Sequence, residues 1–217
     1  IMAVVPAHIM RSVGGGYDNE SVAITAICAT FWLWCCALRA PSAPNDGEAT
    51  RNSYVFGVLS GLAYVYMVAA WGGFVFVLNM VALHAGALIL VGRYTSKLHR
   101  AYSLFYVIGT IGATRVPPVG YKAVRDVEQM APLVLFLGMQ LLEYAEVQRR
   151  KHKLSWLRVQ MLRAKLALPA VFLIACAVVG LNSLGYFGPV SSRIRSLFVK
   201  HTRTGNPLVD SVAEHQP

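Results

Sequence analysis

The sequence predicts an all-α protein whose chain crosses a membrane several times. Of its 217 residues, 56% are hydrophobic and only 14% are charged, and the mean hydropathy is +0.50. This composition is too apolar for an ordinary soluble domain. Six runs approach the length of about 20 apolar residues that a helix needs to cross the hydrocarbon core of a bilayer.

The six predicted membrane-spanning helices occupy residues 21–184. Trp71-Gly72-Gly73 separates the second from the third, because glycine permits a sharp reversal of the chain. The fourth and fifth are the weakest, since they are short or carry polar residues. In chain order the runs are Ser21–Leu38, Tyr54–Ala70, Phe74–Val91, Ala101–Ala113, Ala131–Leu142 (extending to about Val147) and Leu166–Leu184.

A segment outside the membrane is predicted at each end of the chain. Residues 1–20 precede the first helix, and residues 185–217 form a long polar loop after the last one. Loops longer than about 15 residues without structure of their own are usually functional or mobile. The chain does not begin with Met and stops inside a charged motif, so we expect it to be part of a longer chain.

Charge in the loops predicts the orientation of the helices. Most of the 20 Lys and Arg residues fall in alternate loops, which the positive-inside rule places in the cytoplasm. The net charge of +10 therefore indicates membrane topology, and no nucleic-acid partner is expected. Because six is an even number, Asp18, Glu20 and Glu214 are predicted on one non-cytoplasmic side. The basic set is Arg39, Arg51, Arg93, Lys97, Arg100, Arg149, Arg150, Lys151, Lys153, Arg158, Arg163 and Lys165.

Asp18 and Glu20 are candidate metal ligands. On an extended segment, residues two apart point the same way, and paired carboxylates suit Mg²⁺ or Mn²⁺. Alternatively, Asp18 caps the first helix and Glu20 sits in its first turn, where the helix dipole favours a negative charge. Arg11 is either a cation that positions these carboxylates or an interfacial side chain that reaches toward water.

Three further features have both a functional and a structural reading. Glu214, beside His215, is a candidate site carboxylate or a solvated loop charge. His84, inside the third helix, is a functional candidate or a neutral side chain bonded to a neighbouring helix. The cysteines lack metal-ligand spacing and predict buried free thiols; they are Cys28, Cys35, Cys36 and Cys176.

Several strings together resemble the catalytic subunit of eukaryotic oligosaccharyltransferase. Near the start, Arg11-Ser12-Val13 and Gly16-Tyr17-Asp18-Asn19-Glu20 are similar to the second acidic motif of that family. The final Ser211-Val212-Ala213-Glu214-His215-Gln216-Pro217 is similar to its Ser-Val-Ser-Glu motif, with Ala213 in place of the usual Ser. Between them, matching strings follow in the family's order: Ala63-Tyr64, Tyr66-Met67-Val68, Ala70-Trp71-Gly72-Gly73, Gly92-Arg93-Tyr94, Ala101-Tyr102 and Gly109-Thr110-Ile111.

The resemblance implies a glycosyltransferase of the C-type membrane fold in the endoplasmic reticulum membrane. Such an enzyme moves an oligosaccharide from a dolichyl pyrophosphate carrier to Asn in Asn-X-Ser/Thr, on the lumenal side. It implies that Asp18 and Glu20 hold Mn²⁺ or Mg²⁺, that Arg11 supports them, and that Glu214 binds the acceptor Asn. It also implies contact with the lipid bilayer and with other oligosaccharyltransferase subunits.

The resemblance also implies that parts of the enzyme lie outside these residues. They are the first acidic motif, the Trp-Trp-Asp region and the Arg that contacts the carrier pyrophosphate, so the 217 residues alone are expected to be inactive. The competing interpretations are an ion-coupled transporter and a non-catalytic membrane scaffold. Transporter sites usually lie near the bilayer midplane, whereas the carboxylates here lie at helix ends.

Overall fold

The computed structural model describes residues 9, 19–39, 46–153 and 155–186, and every regular element within these ranges is helical. This confirms the predicted all-α class. The long helices are α1 (Asn19–Leu38), α2 (Asp46–Ala70), α3 (Phe74–Leu90), α4 (Ser96–Arg115), α6 (Met130–His152) and α7 (Trp156–Ser183). A short helix, α5 (Lys122–Arg125), and a 3₁₀ turn (Val127–Gln129) lie between α4 and α6.

Four stretches of the described residues are long and apolar enough to cross a membrane. They are Asn19–Leu38, Arg51–Ala70, Val127–His152 and Leu157–Ser183, and the shorter Phe74–Leu90 is also apolar. Helix α4 does not meet this criterion, because its first turn and a half is polar. That helix is longer than the predicted Ala101–Ala113, since Thr95 caps it by accepting a hydrogen bond from the Leu98 amide at 3.2 Å.

Helices α2 and α4 pack closely through small residues. A Cβ built on Gly57 would lie 3.2 Å from the Ala101 backbone, and one on Gly61 would lie 3.0 Å from Ile108. From the opposite helix, a Cβ on Gly112 would lie 2.1 Å from Val65. Small residues spaced four apart let helix backbones approach within a membrane, where the hydrophobic effect does not drive association.

The core lies among α1, α2, α3 and α4 and is rich in aromatic side chains. The Trp34 ring centroid lies 6.0 Å from that of Phe105 and 6.2 Å from that of Tyr102. Trp34 is buried, and its Nε1 donates a hydrogen bond to Nδ1 of His84 at 3.0 Å. The structural interpretation of His84 is therefore supported, because its ring nitrogen satisfies the indole of a neighbouring helix.

Beyond its first turns, helix α7 packs little against the other described helices and exposes apolar side chains on nearly every side. None of its apolar window is buried against the rest of the described chain. The four cysteines are free, but Cys28, Cys35 and Cys176 are exposed, so the prediction of buried thiols was wrong. Hydropathy does not separate a residue that faces the helix bundle from one that faces the surrounding apolar phase.

Candidate functional site

The amino end of α1 lies beside the carboxyl end of α2. The Asn19 side chain donates a hydrogen bond from Nδ2 to the Ala70 carbonyl oxygen at 2.7 Å. Glu20 follows in the first turn of α1 and is partly exposed. Its first-turn position agrees with the helix-dipole interpretation, because the amino end of a helix favours a negative charge. Asp18, Arg11 and Glu214 lie outside the described residues.

An open groove of about 960 Å³ adjoins this helix end. Its walls are the Trp71-Gly72-Gly73 turn, the first turns of α3 and the connection between α4 and α6. The walls are apolar with polar side chains at intervals: Asn19, Asn79, Lys122, Asp126 and Glu128. Asn19 lines the groove, and Glu20 is its neighbour in the chain.

Asn79 holds the far wall of the groove in place. Its Nδ2 donates to the Val75 carbonyl one turn earlier and to the Glu128 carbonyl, each at 3.0 Å. Asp126 therefore lies near the start of α3. Partial burial raises the pKa of Asp126, and the nearby Glu128 carboxylate raises it further, while Lys122 and Arg125 oppose both effects.

The sequence patterns assigned this connection no role. One signal was available, because Asp126 and Glu128 are spaced two apart, as Asp18 and Glu20 are. The pairing of Asn79 with the Glu128 backbone joins residues 49 positions apart, and no short motif reports such a contact.

The same connection contacts the carboxyl end of α7. Nε of Arg125 donates to the Tyr186 carbonyl at 3.1 Å, and the guanidinium carbon lies 5.3 Å from the Tyr186 ring centroid. Tyr186 is the last described residue before the segment that carries Glu214. One face of the molecule thus brings together Glu20, the groove and the point from which residues 187–217 continue.

Basic side chains collect at the opposite face. There Nζ of Lys97 donates to the Arg39 carbonyl, and Nη2 of Arg150 donates to Oγ of Ser96 at 3.0 Å. Burial lowers the pKa of Lys97, and the nearby Arg100 lowers it further. These contacts place the carboxyl ends of α1 and α6 beside the amino end of α4. Helix α4 therefore runs in the opposite direction to α1 and α6.

The described residues contain no group of three or more His, Cys, Asp and Glu side chains placed to hold a metal ion. Of the predicted metal ligands, they include only Glu20. A single carboxylate offers two oxygen atoms, fewer than the six or more that Mg²⁺ or Mn²⁺ takes, so Glu20 can act only with further donors. The donor chemistry suits a hard cation, and the assignment of Asp18 and Glu20 to a metal stays a prediction.

Comparisons with known proteins all identify the same family. The family model described as oligosaccharyl transferase STT3, N-terminal, matches residues 1–217. The chain is 39% identical over 217 residues to the stt3 subunit of dolichyl-diphosphooligosaccharide–protein glycosyltransferase from Schizosaccharomyces pombe. The similarly named subunits of Saccharomyces cerevisiae and Caenorhabditis elegans are 37% and 38% identical over 221 and 220 residues.

The matches cover the present chain completely and its relatives partly. Each alignment includes 100% of this chain, but 27% of the S. pombe protein, 28% of the S. cerevisiae protein and 27% of the C. elegans protein. The chain therefore spans little more than a quarter of the length of these curated relatives.

Proposed function

Because the chain belongs to the STT3 oligosaccharyl transferase family, we propose that it forms part of a membrane glycosyltransferase for N-linked glycosylation. The whole enzyme would move an oligosaccharide en bloc from a dolichyl pyrophosphate carrier to the side-chain amide of Asn in Asn-X-Ser/Thr. The match of the family model across all 217 residues carries the proposal. The relatives' printed names give the donor as a dolichyl-diphosphooligosaccharide and the acceptor as protein.

Asp18 and Glu20 are proposed to hold Mn²⁺ or Mg²⁺ at the amino end of α1, with Arg11 orienting them. A bound divalent cation would stabilise the negative charge that develops on the pyrophosphate leaving group. Glu20 is suited to this by its place in the first turn, where it directly follows the side chain that joins α1 to α2. The groove beside it offers space for a substrate next to the predicted metal position.

Glu214, together with Asp18, is proposed to activate the acceptor. The nitrogen of an amide is a poor nucleophile, because its lone pair is delocalised into the carbonyl group. Carboxylates that accept hydrogen bonds from both N–H groups weaken that conjugation and orient the nitrogen for attack. The contact of Arg125 with Tyr186 supports this assignment, since it starts the Glu214 segment from the face that carries Glu20.

The proposed location is the endoplasmic reticulum membrane, with the Glu20 face in the lumen. The basic contacts of Lys97 and Arg150 lie at the opposite face, where the positive-inside rule places the cytoplasm. The printed names call the relatives subunits, which supports a role within a larger oligosaccharyltransferase assembly.

Charge-removing substitutions in the full-length parent test these roles. Asp18→Asn and Glu214→Gln should each lower transfer to a sequon peptide by about 100-fold, the scale of losing one transition-state contact. Glu20→Gln should raise the Mn²⁺ concentration needed for half-maximal transfer. Glu214→Gln should instead raise the KM for the acceptor peptide and leave the metal requirement unchanged.

Glu143→Gln provides the matched control, because this carboxylate lies at the basic face and accepts a hydrogen bond from the Tyr94 hydroxyl at 2.7 Å. It should leave transfer unchanged. Normal transfer in both Asp18→Asn and Glu214→Gln would reject the catalytic proposal and favour a transporter or scaffold. Assembly of each variant is checked by size-exclusion chromatography.

A further inference from the structure

Two cavities meet between α6 and α7 at the basic face of the molecule. The larger is an open apolar groove of about 810 Å³ that runs along the facing sides of the two helices. The smaller is a recess of about 350 Å³ at the turn from α3 to α4 and the adjoining ends of α6 and α7. The two share four lining residues and so form one continuous site: Ile89, Leu142, Gln160 and Arg163.

The recess carries an excess of positive charge. Its ionisable side chains at neutral pH are Glu146 and the guanidinium groups of Arg149, Arg150 and Arg163. Glu146 accepts hydrogen bonds from Arg149 and Arg150, with Nε to carboxylate distances of 2.9 and 3.3 Å. Nη2 of Arg163 lies 3.8 Å from the same carboxylate. Tyr94 also lines the recess, and its hydroxyl donates to the Glu143 carboxylate at 2.7 Å. Two carboxylates therefore oppose three guanidinium groups, and the remaining positive charge favours an additional anion.

Arg163 lies where the recess opens into the groove, and its hydrogen-bonding capacity is incompletely used. Its Nε is buried and donates to no acceptor among the described residues. A buried donor without an acceptor destabilises the fold, and an anionic oxygen would satisfy it. The guanidinium group presents its N–H donors as a planar fork that matches the oxygens of a phosphate group.

We propose that this composite cavity binds an anionic glycerophospholipid. The phosphate and its acidic headgroup would occupy the recess against Arg150 and Arg163, and the acyl chains would lie along the groove between α6 and α7. Two observations commit the site to a lipid in preference to a soluble anion. The first is that the positively charged recess continues directly into an apolar groove. The second is that Arg163 lies only about 10 Å along α7 from the first residue of that helix, at about 1.5 Å per residue, which is the depth of a lipid headgroup.

The placement suits the lipid composition of the predicted cytoplasmic leaflet. Anionic phospholipids concentrate there, and each Lys or Arg near such a surface contributes about 1 kcal/mol of attraction. The composite cavity lies at the face opposite Glu20 and takes no part in the proposed transfer reaction, so lipid binding there can be tested without an activity measurement.

The test uses the full-length parent in phosphatidylcholine nanodiscs that contain a trace of photoactivatable phosphatidylserine, with its diazirine in an acyl chain. Irradiation followed by mass spectrometry should find the label on peptides from α6 and α7. Photoactivatable phosphatidylcholine at the same concentration should label them several-fold less. Arg163→Gln should lower labelling by phosphatidylserine about five-fold, which is the loss of one interfacial cation. Arg158→Gln is the matched control, since Arg158 is exposed on the same helix and does not line the recess.

A second pair of variants tests the groove. Ala170→Phe places a large side chain in the groove and should reduce labelling by both lipids. Ala175→Phe changes the same helix outside the groove and should not reduce labelling. Equal labelling by the two lipids, or phosphatidylserine labelling unaffected by Arg163→Gln, would overturn the proposal. Displacement by inorganic phosphate would indicate a phosphate site in its place. Absence of label from α6 and α7 would also overturn the proposal, because another part of the parent would then cover the groove.

Discussion

Two tyrosines in the core differ in what their hydroxyl groups contact. Tyr64 and Tyr102 are both almost fully buried, with exposed fractions of 1% and 0%. The Tyr102 hydroxyl donates to the Pro132 carbonyl oxygen at 3.0 Å, which joins α4 to α6. The Tyr64 hydroxyl is buried and has no hydrogen-bond partner among the described residues. The Tyr102 hydroxyl should therefore stabilise the fold, and the Tyr64 hydroxyl should not.

We predict that Tyr102→Phe destabilises the protein by about 1 kcal/mol, because it removes a buried hydrogen bond that joins α4 to α6. Tyr64→Phe should be neutral or slightly stabilising, since it deletes a polar group that folding desolvates without compensation. Thermal unfolding of the purified parent in detergent measures both. Equal loss of Tm in the two variants would contradict the assignment of the Tyr64 hydroxyl as unpaired.

At the scale of single elements, the α2–α4 pair depends on glycine for its close approach. Gly109 and Gly112 face Tyr64 and Val65, and a Cβ on Gly109 would lie 2.7 Å from the Tyr64 ring. Because Val65 is β-branched and its rotamers are restricted, it cannot move aside at low cost. The interface should therefore respond strongly to one added methyl group.

Gly112→Ala should destabilise the protein by about 1–3 kcal/mol through overpacking against Val65. Gly180→Ala provides the comparison, since a Cβ there has no heavy atom within 4 Å and alanine is the better helix former. That variant should be neutral or stabilised. The measurement is the fraction of each variant that stays monodisperse after graded heating. A Gly112→Ala variant as stable as the parent would mean that α2 and α4 can move apart without loss of stability.

Hydropathy located the apolar helices well because the bilayer requires long runs with few charges. It underestimated α4, whose polar first turn is stabilised by Thr95 and by Arg100, which donates to Oγ of Ser53 at 3.1 Å. It also underestimated α7, which begins at Trp156 and not at the predicted Leu166. The family motifs drew attention to Glu20, which the structure places in the first turn of α1. The groove could not be predicted, since Asn19, Asn79 and Arg125 reach partners that are 51, 49 and 61 residues away in the chain.

At the scale of the whole molecule, the polar contacts separate into two faces. One contains the contacts of Asn19, Asn79 and Arg125, and the other contains those of Lys97 and Arg150. The proposed transfer chemistry belongs to the first face and the proposed phospholipid site to the second. Together the two proposals place these faces on opposite sides of the membrane.

Helix α4 decides the topology. The Trp71-Gly72-Gly73 turn and the α4–α6 connection lie on the same side of the membrane only if α3 and α4 both cross it. In a cysteine-free parent, Gly72→Cys and Tyr121→Cys should resist a membrane-impermeant maleimide in sealed microsomes and react after permeabilisation. Arg93→Cys and Lys151→Cys should react in intact microsomes. All four positions are exposed, so differences in labelling report sidedness and not burial. Labelling of Gly72→Cys and Tyr121→Cys from opposite sides would show that α3 or α4 does not cross, and Asp18 and Glu214 would then be separated by the membrane.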